Sequence, residues 1–288
     1  MKRMIAALSL ILATAAAHAL QPYTAGDKLA GGDLKAVMAV AEQKLAAAGF
    51  MVIGRHTPKG LPRFGTVVVT DATLSDVLKR IGGSAVIGAP IRVGVQADGS
   101  LSYVNLEYWE HAYLRKDYAK AEGAVKAAAG KLEKALGAGK PFGGDVAEGN
   151  LAKYHYMMGM EYFDEKSELK EYPSFEDALK AVEANLARGA GQTAKVYELS
   201  MPDRKIAVFG VALNDTENGE GWWVKKIGPS HIAGLPWEVW IVDGKVYGLY
   251  GRYRTALAWP ELGMGQFMGI VQHPDTTKKM LEQVAGAE

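Results

Sequence analysis

The residues best able to do chemistry lie in three stretches. The first is Leu151 to Tyr162, LAKYHYMMGMEY, which gathers His155, Met157, Met158 and Met160. Thioether sulfur is soft and suits Cu(I), and an imidazole completes such sites. Read as a strand, the stretch sets His155 and Met157 on one face and Met158 and Met160 on the other. His155 and Met157 are therefore the candidate metal ligands. The same methionines and aromatics would equally fill an irregular core. The second stretch is Gly251-Arg252-Tyr253-Arg254. On a strand, Arg252 and Arg254 point to one side and could grip a carboxylate or sulfate-like anion. Trp237, Trp240 and Tyr253 belong to the same half, and His231 lies just before them in a Gly-rich approach. Together these six residues make a candidate aromatic pocket with an arginine floor. The alternative is a salt-bridged face in which the arginines pair with Glu238 or Asp243. The third stretch is Tyr108 to Tyr113, where His111 with Glu107 or Glu110 could form an acid–base pair; His231 is the other candidate for that role.

Familiar catalytic signatures are missing. The chain has no G-x-S-x-G, no phosphate loop, no G-x-G-x-x-G, no HExxH and no C-x-x-C-H. These absences lean against an enzyme and name no cofactor. There is no cysteine at all, so disulfides, thiolate metal sites and thiol nucleophiles are out, and stability must come from burial.

The first nineteen residues read as an export signal: Lys2 and Arg3, an apolar run from Met4 to Ala16, then the cleavage site Ala17-His18-Ala19. A mature, soluble chain from about Leu20, periplasmic or secreted, is expected, with no membrane span left once the signal is removed. Losing Lys2 and Arg3 takes the 33 basic residues to 31, against 32 acidic ones. A nucleic-acid binder needs a basic excess or stripe, and none is visible.

The elements that would position these residues follow from periodicity. Asp33 caps a helix with an apolar stripe through Leu45, ended by Gly49. Strands are expected at Phe50–His56 and Gly65–Val69, a short helix at Leu74–Ile81, and a helix at Tyr118–Leu136. GAGKPFGGDVAEGN, residues 137–150, holds five glycines and one proline and is the best linker, with a boundary near residue 145. Beyond it, Ser174 caps a helix, strands are expected at 193–201, 206–213 and 222–227, and a helix closes the chain at 276–284. Trp237–Val242 and Lys245–Tyr250 form a hairpin around Asp243-Gly244, a pair that favours a type I′ turn with positive φ at both positions.

An earlier copy of that hairpin exists. Ile81, Gly82, Ser84, Gly88, Pro90 and Val93 recur 146 residues later, and Asp98, Gly99 and Tyr108 recur 145 later. The identities fall on turn glycines, the strand-opening proline and the Asp-Gly turn, where backbone geometry dictates the residue. The chain therefore reads as two copies of one α+β domain, residues 20–145 and 146–288.

On the ALAAAGF-like helix end at Leu45–Phe50, the following strand, and the late Gly-x-Pro hairpins at Gly88-Ala89-Pro90 and Gly234-Leu235-Pro236, the chain resembles a tandem of the bacterial domain of unknown function numbered three hundred and two. The second half is also similar to exported bacterial relatives carrying KYHYMM and GRYR stretches. The resemblance implies a TBP-like copy of strand, helix, four antiparallel strands and helix, with helices on one face of each curved sheet. There is no cysteine near the Gly-x-Pro segment, so no thiol chemistry carries over. The expected function is non-catalytic binding of a small molecule or an envelope protein partner. The alternatives are copper binding or metal delivery through His155 and Met157, or an enzyme of unfamiliar type.

Overall fold

A computed structural model of the chain describes residues 19–154, 161–163 and 166–287. The expected export signal, apart from Ala19, lies outside the described residues, as do His155, Met157, Met158 and Met160.

The first half runs β1 (Ala19–Leu20), β2 (Tyr23–Ala25), α1 (Leu34–Ala47), β3 (Met51–His56), β4 (Phe64–Thr70) and α2 (Ala72–Ile81). A 3-10 segment, Gly83–Gly88, leads to β5 (Ile91–Gln96), β6 (Leu101–Val104), α3 (Leu106–Leu114) and α4 (Tyr118–Leu136). The passage to the second half holds β7 (Pro141–Phe142), β8 (Val146–Ala147) and α5 (Glu148–Leu151). Then come β9 (Ser167–Glu171), α6 (Phe175–Ala187), β10 (Thr193–Met201), β11 (Ile206–Leu213) and α7 (Glu220–Ile227). A second 3-10 segment, Pro229–Gly234, precedes β12 (Trp237–Val242), β13 (Lys245–Gly248), α8 (Gly251–Ala258), α9 (Met264–Met268) and α10 (His273–Ala285).

Local chemistry accounts for the helix starts. Asp33, Asp71 and Ser174 each accept a hydrogen bond from a backbone N–H of the first turn they precede, at α1, α2 and α6. Leu34, Val37, Met38, Ala41 and Leu45 form the buried stripe of α1, as their spacing requires.

The fold is α+β with antiparallel sheets: six strands ordered β3-β4-β5-β6-β2-β7, five ordered β10-β11-β12-β13-β9, and the pair β1-β8. Setting β7 aside, the two large sheets follow one order, in which the first strand of each sheet lies beside its last. Their registers correspond too. Val67, Val93 and Tyr103 lie across from one another in the first sheet, and Phe209, Val239 and Gly248 do so in the second. The ends of α2 and α7, at Ile81 and Ile227, and the starts of α3 and α8, at Leu106 and Gly251, keep the spacing of the sequence repeat.

The halves interlock. The segment Gly83–Gly88 packs on β11 and β12, and Pro229–Gly234 packs on β4, β5 and β6. Thr66 Oγ1 donates to the Ile232 carbonyl at 3.0 Å, and Trp240 Nε1 donates to Ser84 Oγ at 3.1 Å. Gly94 permits this approach, since a Cβ there would strike the Ile232 side chain and lie 2.9 Å from the Ala233 nitrogen. One continuous hydrophobic core runs through both halves. The seam between the two sheets is therefore packed with side chains.

Several expected elements are different. Residues 222–227 are helical, not a strand: Trp223, Val224 and Ile227 are buried while Lys225 and Lys226 are exposed. The GRYR stretch and Tyr108–Tyr113 are also helical, in α8 and α3. Runs of aromatic and β-branched residues suggested strands, and tertiary burial of a helical face overrode that preference. The Asp243-Gly244 turn has positive φ at Asp243 (53°) but not at Gly244, so it is not type I′. Glycine is required there because the Tyr172 carbonyl leaves no room for a Cβ.

Candidate functional site

Helical geometry separates the two arginines of the GRYR stretch. Residues two apart on a helix point about 200° apart, so Arg252 is exposed and lies 3.8 Å from Glu161, while Arg254 is wholly buried. The expected joint grip on an anion does not form. Trp237, Trp240 and Tyr253 are buried core residues rather than pocket walls. His231 is buried as well. Its Nδ1–H donates to the Ala258 carbonyl at 2.9 Å, Nε2 lies 3.1 Å from Glu261 Oε1, and the ring stacks on Trp259. Burial holds its pKa below the usual imidazole value.

Arg254 belongs to a buried charge cluster at the seam. Its Nε donates to Glu238 Oε2 at 3.0 Å and its Nη2 to Glu238 Oε1 at 3.1 Å and to the Gly234 carbonyl at 2.6 Å. From the other half, Arg92 Nη1 donates to the same Glu238 Oε1 at 2.5 Å, and its Nε donates to the Ala233 carbonyl at 3.1 Å. Both guanidinium groups lie over the Trp109 ring, at 4.6 and 4.9 Å from its centre. Two cations against one carboxylate leave a net positive core. Glu110 lies nearby, and burial pushes its carboxyl up to about 8 although the charge on Arg92 opposes this. Its Oε2 has no hydrogen-bond partner among the described residues.

The aromatic wall of this cluster reaches an open cavity. Trp109 contacts Tyr113, and Tyr113 contacts Phe163, with ring centres 5.7 and 5.8 Å apart. Burial, opposed by the charges of Arg254 and Arg92, pushes the Tyr113 phenol up to about 12. Tyr113 and Phe163 line a cavity of about 400 Å³ at the seam, between the end of α2 and the corner joining α3 to α4. Ser84, Ala85 and Leu114 line it as well, together with the cations Arg115, Lys116 and Lys166. Arg115 makes the corner with φ of 53°, and its Nε donates to the Ala152 carbonyl at 2.6 Å. Asp117, the one carboxylate of the lining among the described residues, is engaged by Lys120 at 2.7 Å. A larger cavity of about 620 Å³ beside α1 and β3 is less suited to a ligand, because Glu42 already clamps its Arg55 with two hydrogen bonds.

Comparison with known family models, with curated proteins and with solved structures gave no match.

The remaining sequence candidates are placed as follows. His111 stacks on Tyr118 at 3.5 Å and has Nε2 3.5 Å from Glu148 Oε1, and burial lowers its pKa. It makes no ion pair with Glu107 or Glu110 among the described residues. The candidate metal ligands His155 and Met157 lie outside the described residues, and no group of three His, Asp or Glu side chains among the described residues could hold a metal. Also among the described residues, no helix is long and apolar enough to cross a membrane. Tyr113 closes the third stretch of the sequence, whereas Lys116, Phe163 and Lys166 belong to none of the three. Nothing in their own spacing marks them; the usable signal was the repeat, which sets each first-half residue against a second-half counterpart.

Proposed function

We propose that this chain is an exported, non-catalytic binding protein for small ligands, built from two fused copies of a TBP-like module. The matching strand order and helix ends of the halves support the duplication. The observation that carries the binding reading is the seam cavity itself. It has the size of a small-molecule site, and Tyr113, Phe163 and the cations Arg115, Lys116 and Lys166 are among its lining residues. His231 is held by core contacts and His111 lies between Tyr118 and Glu148, which favours binding over turnover. Export remains the reading of the N-terminal signal.

A thermal-shift screen of anionic metabolites tests the reading, because a ligand bound only by the folded state raises the melting temperature. Acids that stabilise the parent chain should lose that effect in a Lys116→Glu, Lys166→Glu double variant. Equal shifts in both proteins would remove the cavity from consideration.

A further inference from the structure

The seam cavity has a counterpart in the second half, and the counterpart is full. The 3-10 segments correspond residue for residue, which sets Ala85 against His231. The helices α3 and α8 start 145 residues apart, which sets Leu114 against Trp259. Two residues further on stand Lys116 and Glu261. The strands β2 and β9 join their sheets in matching register, which sets Lys166 against Tyr23.

In the second half these positions hold a ring. His231 stacks on Trp259, meets the Tyr23 ring at 5.0 Å and directs Nε2 at Glu261. In the first half the imidazole is replaced by the Ala85 methyl group and the indole by Leu114. The tyrosine and the glutamate are replaced by two lysines. Ala85, Leu114, Lys116 and Lys166 all line the cavity of about 400 Å³. Among the described residues the slot has lost its internal ring, and the polar side chains lining it have changed from an acid and a phenol to two cations, of which Lys166 also lies over the Tyr247 ring at 4.8 Å. Tyr113 and Phe163 supply flat apolar surface beside it.

We propose that the cavity takes a small planar ring bearing a carboxylate, the ring lying beside Ala85 and Leu114 and the carboxylate meeting Lys116 and Lys166. This rests on the binding reading above and narrows its ligand class. Ring and charge are recognised separately: the ring by apolar contact with Tyr113, Phe163 and Leu114, the carboxylate by charge-assisted hydrogen bonds from the lysines.

Calorimetric titration of the full chain with benzoate, benzamide, cyclohexanecarboxylate and inorganic phosphate tests it. Benzoate should bind, with benzamide and cyclohexanecarboxylate each weaker by about tenfold or more, the first for want of the charge and the second for want of the flat ring. The exposed change Lys116→Glu should weaken benzoate by a similar factor while leaving the melting temperature of the free protein near that of the parent. Ala85→His with Leu114→Trp should refill the slot and abolish benzoate binding. Benzamide binding as tightly as benzoate, or benzoate binding unchanged in Lys116→Glu, would overturn the proposal. Binding of phosphate or cyclohexanecarboxylate in place of benzoate would overturn the ring and leave the binding reading standing. Silence from all four probes would overturn the proposed ligand class, and the metabolite screen would then decide the binding reading separately.

Discussion

Glu238 neutralises one of two buried guanidinium groups and accepts hydrogen bonds from both Arg92 and Arg254. Replacing it with alanine strands two buried cations without their carboxylate. Breaking a buried pair of this kind costs about 3–5 kcal/mol, so Glu238→Ala should move the urea midpoint sharply or prevent folding, whereas Arg252→Ala, on the exposed side of the helix that carries Arg254, should leave the midpoint nearly unchanged. Two other buried groups set the pH dependence. Glu110 titrates at about 8 in the fold, against about 4.3 in an unfolded chain. Its contribution is present below the unfolded value and is lost as pH rises towards 8. His273 is driven down to about 3, first by burial and then by the charge of Arg254. Its contribution is present above the unfolded value of about 6.5 and is lost as pH falls towards 3. Between these two unfolded values Glu110 and His273 oppose each other, and the lowered His231 and His111 tip the balance, so melting temperature should fall as pH drops below about 6.5 and fall again as pH rises from there towards 8. Glu110→Gln should flatten the decline between pH 6.5 and 8 in a series of melts, and an unaltered alkaline flank would refute the assignment.

At the scale of the element, α8 shows how a helix end is satisfied from outside. The last carbonyls of a helix have no partner within it. Here Ala256 accepts from Tyr154 Oη, Leu257 from Tyr108 Oη, and Ala258 from Tyr23 Oη and His231 Nδ1, each at 2.9 Å. Tyr23 and Tyr108 reach across from the first half, so this helix is capped by the other repeat. Tyr108→Phe should cost about 1 kcal/mol in urea unfolding. Tyr23→Phe should cost less, since His231 still donates to the Ala258 carbonyl; the reverse ranking would count against this account. The α7 stretch was open to correction from sequence alone. Its repeat partner, Asp76–Ile81, already read as a helix, and only the β-favouring Trp222-Trp223-Val224 run argued otherwise. No such partner helped α8, because both copies of that stretch carry the same aromatic, strand-like composition.

At the scale of the whole molecule, the exchanged 3-10 segments and shared core mean that neither half completes its own packing. Heat should unfold the chain in one transition, with calorimetric and van't Hoff enthalpies in agreement. Two resolved transitions would show that the seam contributes little and that the halves are independent. The seam also limits where a ligand can enter: the middle is filled by Arg92, Glu238, Arg254 and the tryptophans, and space remains at its edge, beside Tyr113 and Phe163.

The sequence by itself determined what local geometry demands. The capping Asp33 and Ser174, the amphipathic stripe of α1, the turn glycines and the repeat of the hairpins are written in nearest-neighbour chemistry and can be read without a fold. It could not determine which charges would be buried or which side chains would face a cavity. Arg254 looked like a surface cation until Arg92, from the other half of the chain, closed over its pair with Glu238, and Ala85 lines a cavity because, among the described residues, no ring stands where His231 and Trp259 stand in the second half. Burial and empty volume arise from the meeting of segments more than a hundred residues apart, so only the tertiary structure could decide them.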